Sequence, residues 1–190
     1  MKRAVSILLI LVFALSMAAL TACGEKKDDS TVEATEAAKP APDGKVFKLK
    51  DQNGAYTFSL QAYKNSSLTY KAEQFSNRTA LVVTSAQKEY YVYIYINNGY
   101  KNNYDSKHEN GRADGGIDVK AGGYSGYTYP KTALNAAFFD TGAKVKKETD
   151  IVTMVVEQPQ PYKHDINEVI ADEELIDLLG TLKLIKSPVE

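Results

Sequence analysis

The segment Glu89-Tyr90-Tyr91-Val92-Tyr93-Ile94-Tyr95-Ile96 decides the fold of this 190-residue chain. Valine, isoleucine and tyrosine suit a pleated surface, and aliphatic residues alternate here with tyrosine at the period of two that a β-strand requires. The aliphatic side chains share one face, and the opposite face carries Tyr91, Tyr93 and Tyr95. The segment therefore predicts a long strand, around which the rest of the domain is arranged.

Shorter segments on both sides of this strand also have strand character, because they alternate or are rich in β-branched and aromatic residues. They cover residues 46–49, 56–60, 68–72, 80–84, 117–120, 124–129, 137–139, 144–147 and 151–156. Residues 97–116 are rich in Asn, Gly and Asp and predict a long polar loop, and residues 131–136 favour a helical turn.

A helix is predicted near the end of the chain, where Asp165 fits an N-cap and Glu168 follows in capping-box position. Gly180 fits the C-terminal stop, and residues 181–186 then leave in an extended conformation. The apolar residues between the two ends fall on one helical stripe: Ile166, Val169, Ile170, Ile176 and Leu179. The chain thus predicts an α+β fold, an antiparallel β-sheet covered by a C-terminal helix, with a β-sandwich carrying one helix as the alternative.

The layout of residues 56–185, strand-rich and closed by a helix and a Leu-Lys-Leu-Ile tail, resembles the Mog1/PsbP-like group of small α/β/α proteins. The resemblance rests on the order of elements. It implies a domain that binds or assists other proteins and has no catalytic activity.

The first residues have the three parts of a secretion signal: Lys2 and Arg3, an uncharged apolar run over residues 4–20, and a small-residue cleavage site. The sequence Leu20-Thr21-Ala22-Cys23 resembles the lipobox of bacterial lipoproteins. The resemblance implies that a diacylglyceryl group is attached to Cys23, the only cysteine, and that the chain is cut after Ala22. A retained transmembrane helix is the alternative, but the apolar run is shorter than the ~20 residues that a spanning helix needs.

The chain then divides into a signal peptide (1–22), a lipidated N-terminus with a disordered tether (23–45) and one extracytoplasmic α+β domain (46–190). The tether is charged and has too little apolar area to fold. Loss of Lys2 and Arg3 leaves 21 basic against 24 acidic residues, a balance that does not favour nucleic acid as a partner. The expected location is the cell membrane, facing outside the cytoplasm.

The tyrosine stripe is the candidate ligand-binding surface, with Tyr124 and Tyr127 expected to contribute to it. Tyrosine offers an apolar ring and a polar tip, which suits a sugar ring or a peptide. The alternative is that the stripe packs beneath a helix or pairs across the sheet with Tyr124, Tyr127 and Tyr129, and the cross-strand packing typical of sheets favours that alternative.

No catalytic or metal-binding pattern is present in the sequence. The acidic residues around 105–118 lack the spacing of a calcium loop. His108 and His164 have no ligand partner at zinc spacing, and His164 is interpreted as a neighbour of the helix cap. The glycines at 122–126 lack the Lys-Ser/Thr ending of a phosphate-binding loop and indicate a turn. We therefore expect no cofactor.

These features predict a membrane-anchored cell-envelope lipoprotein with a non-catalytic binding or accessory domain. Its partners would be the membrane, through the lipid on Cys23, and an envelope protein or cell-wall glycan. One alternative is an envelope hydrolase or glycan-processing enzyme, which predicts two carboxylates in one cleft. A second alternative is the solute-binding lipoprotein of a transporter.

Overall fold

The computed structural model describes residues 41–85, 88–97, 101–130 and 135–189, without the side chains of residues 97 and 101–103. The signal peptide, Cys23, most of the tether and residues 131–134 of the predicted helical turn lie outside the described residues. Within them the chain forms ten strands: β1 Val46–Lys50, β2 Thr57–Gln61, β3 Thr69–Gln74, β4 Thr79–Thr84, β5 Glu89–Asn97, β6 Asp118–Ala121, β7 Tyr124–Tyr129, β8 Ala136–Asp140, β9 Ile151–Glu157 and β10 Lys183–Lys186. Three helices accompany them: α1 Lys101–Ala113, α2 Ile166–Ile170 and α3 Glu173–Gly180.

The strands form two antiparallel sheets. The large sheet has the order β3-β4-β5-β9-β8-β7-β6, and the small sheet has the order β1-β2-β10. The quoted segment is β5, which pairs with β4 on one side and β9 on the other. The coarse prediction of an α+β domain with an antiparallel sheet is therefore confirmed.

One face of the large sheet, called here the inner face, contributes to the main core. Val92, Ile94 and Ile96 of β5 are buried there, as the alternation predicts. Strand β1 lies against β4 and β5, while α2 and α3 lie against β6, β7 and β8. The small sheet and the two short helices together cover the inner face.

The predicted loop over residues 97–116 is wrong, because it contains α1, which packs on the opposite, outer face over β7. Gly111 allows this approach, since a Cβ at that position would lie 2.8 Å from the carbonyl oxygen of Thr128. The helix ends in a Schellman motif: Gly115 has φ +89°, Gly115 N donates to Arg112 O, and Gly116 N donates to Gly111 O. Glycines that favoured a loop in the sequence serve close packing and helix termination.

The predicted C-terminal helix is present but divided into α2 and α3. Asp165 caps α2 as predicted, with its side chain accepting from Asn167 N at 2.7 Å. Asp172 then caps α3 by accepting from Leu175 N at 3.1 Å. Because a capping aspartate takes an extended backbone conformation, the continuous helix is interrupted at this residue. Gly180 is the last residue of α3, and the C-cap, Thr181, keeps right-handed dihedral angles.

The predicted strand over residues 144–147 is wrong. The carbonyl oxygen of Lys144 accepts from Tyr56 Oη at 2.9 Å, and Lys147 O accepts from Asp150 N in a turn. Val145 is partly buried against the core. Its burial between exposed lysines explains the alternation of apolar and polar residues, although the segment pairs with no strand. The other predicted strands are present with shifts of one or two residues at their ends.

Residues 40–190 form one compact unit with its own core. Among the described residues, no helix is long and apolar enough to cross a membrane.

Candidate functional site

The tyrosine stripe lies on the outer face of the large sheet, but most of it is covered. Tyr93 is only 7 % exposed. Its hydroxyl donates to Glu157 Oε2 at 2.5 Å, and the guanidinium of Arg78 lies 3.9 Å from the centre of its ring. Burial raises the pKa of Tyr93, with Glu157 adding to the effect. Tyr93 is thus part of a small second core.

The two neighbours of Tyr93 on the stripe differ in exposure. Tyr91 is half-buried, with its ring centre 5.7 Å from that of Phe75. Tyr95 is 38 % exposed. The stripe therefore offers one accessible ring, and the packed arrangement that was the favoured alternative describes Tyr91 and Tyr93 better than an aromatic platform.

Tyr124 and Tyr127 lie on opposite faces of β7. Tyr124 belongs to the inner face, where its hydroxyl donates to the carbonyl oxygen of Leu182 at 2.6 Å. Tyr127 pairs with Phe138, which pairs with Val155 and through it with Tyr93, so Tyr127 shares the outer face with the stripe. The prediction that Tyr124 joins the stripe is wrong, because residues 124 and 127 are three positions apart, and an odd separation along a strand places two side chains on opposite faces.

Helix α1 forms a cleft with β6, β7 and β8 at the Tyr127 end of the outer face. Its volume is about 540 Å³, within the range of ligand pockets. The lining residues are Tyr104, His108, Asp118, Val119, Lys120, Ser125, Gly126, Tyr127 and Asp140. We refer to this space as the α1 cleft.

The floor of the α1 cleft is aromatic. The imidazole of His108 stacks on Tyr127 with ring centres 4.8 Å apart and planes 19° from parallel, and Tyr104 meets the same ring edge-on at 4.9 Å. Tyr127 Oη is buried and has no hydrogen-bond partner among the described residues. Burial raises the pKa of Tyr127, so its hydroxyl keeps its proton and remains a potential donor at neutral pH.

The rim of the α1 cleft is polar. Asp118 is held by two residues of α1: Arg112 donates to its Oδ2, and His108 Nε2 donates to its Oδ1. These hydrogen bonds, that from Arg112 first, hold the pKa of Asp118 below its ordinary value. Asp118 is therefore ionised at neutral pH and positions the helix.

Three exposed polar side chains of the cleft face solvent on adjacent strands. Lys120 of β6 pairs in register with Ser125 of β7, and Asp140 follows on β8. Asp140 Oδ1 accepts from Gly142 N at 2.8 Å, which fixes the carboxylate. An ammonium, a hydroxyl and a carboxylate thus stand beside aromatic rings, an arrangement that can hydrogen-bond a ligand with several hydroxyl groups.

A second, smaller cleft of about 370 Å³ lies beside β4, β5 and the segment after β9. Its lining residues are Thr84, Ser85, Lys88, Glu89, Gln158, Pro159, Gln160, Pro161, Lys163 and His164. The backbone of His164 is bound to the Gln158 side chain, with Gln158 Nε2 donating to His164 O at 2.8 Å, and Nδ1 of His164 lies 3.8 Å from Glu168. His164 therefore holds the entry to α2, as interpreted from the sequence.

Four residues of the α1 cleft and its rim were not predicted as site residues from the sequence: Tyr104, His108, Arg112 and Asp140. Tyr104, His108 and Arg112 are spaced four residues apart, which places them on one face of a helix. That signal was available, but the Asn and Gly content of the segment concealed the helix. Among the described residues, no group of three His, Cys, Asp or Glu side chains could hold a metal ion.

No protein-family model, no curated protein and no solved structure matches this chain. The inference about function therefore rests on the residues of the chain itself.

Proposed function

We propose that this protein is a membrane-anchored cell-envelope lipoprotein whose domain binds a hydroxyl-rich ligand, such as a unit of cell-wall glycan, in the α1 cleft without catalysis. The anchor is the lipid on Cys23, and the domain faces outside the cytoplasm. The observation that carries the binding proposal is the combination of two partly exposed rings, those of Tyr104 and His108, with three exposed polar side chains in the same cleft, Lys120, Ser125 and Asp140. Saccharides are bound in this way, with ring faces on aromatic residues and hydroxyl groups on charged or polar side chains.

The layered order of the domain supports the resemblance to the Mog1/PsbP-like group. Helix α1 lies on the outer face of the large sheet, and α2 and α3 lie on its inner face. We infer an α/β/α arrangement of that kind, and with it an accessory role in which an envelope protein is the other candidate partner.

The binding proposal is tested with soluble peptidoglycan fragments and an N-acetylglucosamine oligomer as probes. Titration of residues 40–190, followed by amide chemical shifts, is expected to perturb β6, β7, β8 and α1. Tyr104→Ala is expected to abolish these shifts, while Tyr95→Ala, which removes an exposed tyrosine from the same face, is expected to leave them unchanged. Shifts located elsewhere, or unaffected by Tyr104→Ala, would contradict the proposal.

The anchor is tested in the full chain. Cys23→Ser is expected to prevent incorporation of labelled fatty acid and to leave the uncut precursor in the cell. If the parent incorporates no labelled fatty acid, and parent and variant both stay in the membrane at the uncut size, the retained-helix alternative replaces the lipoprotein proposal.

An envelope hydrolase is the second candidate, because Asp118 and Asp140 both line the α1 cleft. A glycosidase needs one carboxyl group whose pKa is raised, so that it can act as the general acid. The lowered pKa of Asp118 and its two hydrogen bonds favour a positioning role instead. Release of reducing ends that is lost in Asp140→Asn would establish the enzyme and overturn the non-catalytic proposal.

The solute-binding lipoprotein of a transporter is less well supported. Such proteins close two lobes over their ligand, whereas residues 40–190 form one compact unit. The α1 cleft also lies between a helix and the edge of one sheet, and not between two lobes.

A further inference from the structure

The small sheet presents four lysines on its outward side. Lys48 and Lys183 are both paired with Ser59 of β2, and Lys50 and Lys186 are both paired with Thr57. Directly paired residues point to the same side of a sheet, so the lysines form two pairs on one surface. Within each pair, the two backbones are about 10 Å apart, because one strand lies between them. All four side chains are exposed. We call this surface the lysine face.

Within the described residues, no carboxylate lies within ion-pair distance of any of these four amines. Lys71 Nζ lies 2.6 Å from Glu73, whereas the other described lysines, like those of the lysine face, have no carboxylate within ion-pair distance among the described residues. The lysine face differs from them because it places four amines on one surface. A bare cationic surface on a chain with more acidic than basic residues is a local concentration of charge, which attracts an anionic partner.

Exposed apolar side chains accompany these lysines. Val46 of β1 is 52 % exposed and, at a spacing of two residues from Lys48, lies on the same side. Ile185 is 52 % exposed at the irregularity between Leu184 and Lys186, whereas Leu184 pairs with the buried Phe58 and lies on the inward side of the small sheet. Lysines interspersed with exposed aliphatic residues are typical of surfaces that contact a lipid headgroup region.

We infer that the lysine face docks onto the anionic leaflet of a membrane. Lysines near such a surface each increase partitioning roughly fivefold, and the aliphatic residues add contact with the acyl boundary. The inference rests on the proposed function in one respect, the lipid on Cys23: Val46 follows Cys23 by only 23 residues, so β1 is the strand nearest the anchor along the chain. The small sheet, which begins with β1, is therefore held within reach of the bilayer at high effective concentration.

Docking through this face leaves the α1 cleft accessible. The cleft lies at the β6–β8 end of the large sheet, on the outer face, whereas the small sheet covers the inner face at β4 and β5. A domain oriented in this way would present its ligand site away from the membrane.

The test uses unlipidated residues 40–190, a compact unit with its own core, and vesicle flotation. Vesicles of phosphatidylcholine alone are compared with vesicles containing phosphatidylglycerol at about a third of the lipid. The parent is expected to float only with the anionic vesicles, and less as salt is raised, because the Debye length falls from about 10 Å at 0.1 M to about 3 Å at 1 M. The lysine-face variant is Lys48→Gln, Lys50→Gln, Lys183→Gln and Lys186→Gln, and its partition coefficient is expected to fall at least tenfold.

A matched variant controls for net charge: Lys71→Gln, Lys88→Gln, Lys147→Gln and Lys163→Gln removes four lysines outside both the small sheet and the α1 cleft. It is expected to retain most of the binding. Equal loss in both variants would overturn the inference, as would equal flotation with neutral vesicles or none with either. Binding to soluble polyphosphate, a chain of phosphate groups, without binding to vesicles would assign the face to an anionic polymer and also overturn it. Since no lipid anchor is present in this experiment, failure of the lipoprotein proposal cannot produce any of these results.

Discussion

The imidazole of His108 stacks on Tyr127 at 4.8 Å and donates to Asp118 from the same ring. One side chain of α1 therefore contacts two neighbouring strands, β7 through the tyrosine and the edge strand β6 through the aspartate. Because these contacts are among those that attach α1 to the sheet, His108 determines whether the α1 cleft exists.

We expect His108→Ala to destabilise the domain by about 1–2 kcal/mol, the magnitude of a lost aromatic stack together with a charge-assisted hydrogen bond. Urea unfolding followed by circular dichroism measures the change. His164→Ala is the control, since Nδ1 of His164 makes only a 3.8 Å contact with Glu168, and its effect should stay within about 0.5 kcal/mol. Equal losses in the two variants would show that His108 does not hold the helix.

Gly111 provides a second test of how α1 is attached. A Cβ at Gly111 would lie 2.8 Å from Thr128 O, a backbone atom that cannot move aside cheaply. Gly111→Ala is therefore expected to cost about 1–3 kcal/mol by overpacking, although alanine favours helix. Gly123→Ala, where no atom lies within 4 Å of the added Cβ, should change the free energy of unfolding by less than about 0.5 kcal/mol. Stabilisation by Gly111→Ala would mean that α1 is not packed on β7.

The sequence could predict the sheet because its strands carry their own signal. The alternation in β5 and the aliphatic residues of β9 identify strands whatever their neighbours are. Helix α1 lacks such a signal, since its residues are almost all polar. The reason for Gly111 is its close approach to Thr128 of β7, which only the folded structure reveals. Local composition therefore favoured a loop, and tertiary packing decided otherwise.

The candidate site was harder to predict than the fold. The sequence fixes which residues of one strand share a face, but Tyr124 and Tyr127 were grouped with the stripe by residue type and not by register. The pairing of Tyr127 with Phe138 and of Phe138 with Val155 depends on strand order, which alternation does not encode. The pairing of His108 with Asp118 likewise joins a helix to a strand across ten residues.

Truncation of Tyr93 should cost much more stability than truncation of Tyr95. Tyr93 is 7 % exposed, donates to Glu157 and lies beneath Arg78, so Tyr93→Ala is expected to cost about 3–5 kcal/mol. Tyr95 is 38 % exposed, and Tyr95→Ala should cost less than about 1 kcal/mol. Denaturant midpoints of the two variants measure this difference. A stable Tyr93→Ala variant would mean that the stripe is an open surface and would restore it as a candidate binding platform.

Glu174 links the start of α3 to the segment before β3. Its ionisation makes the free energy of unfolding depend on pH in the acid range. Its carboxylate accepts from the hydroxyl groups of Ser66 and Ser67, the latter at 2.5 Å, and lies 3.4 Å from Tyr70 Oη. Burial raises the pKa of Tyr70 to about 12, so the phenol remains a donor. For Glu174, partial burial raises the pKa, but the hydrogen bonds from the serines and Tyr70 outweigh it, and the net pKa is lowered from 4.5.

A carboxyl group whose pKa is lower in the folded than in the unfolded state stabilises the fold above its unfolded pKa and loses that contribution as pH falls through its folded pKa. We therefore expect Glu174→Gln to cost about 1 kcal/mol at pH 7 and progressively less below pH 4.5, the ordinary value for this group. Urea unfolding at pH 7 and pH 3, followed by circular dichroism because the chain has no tryptophan, gives the two differences. Glu173→Gln, in the same first turn of α3, controls for charge at the helix terminus. A cost for Glu174→Gln that is the same at both pH values, or matched by Glu173→Gln, would show that the serine contacts do not stabilise the ionised carboxylate.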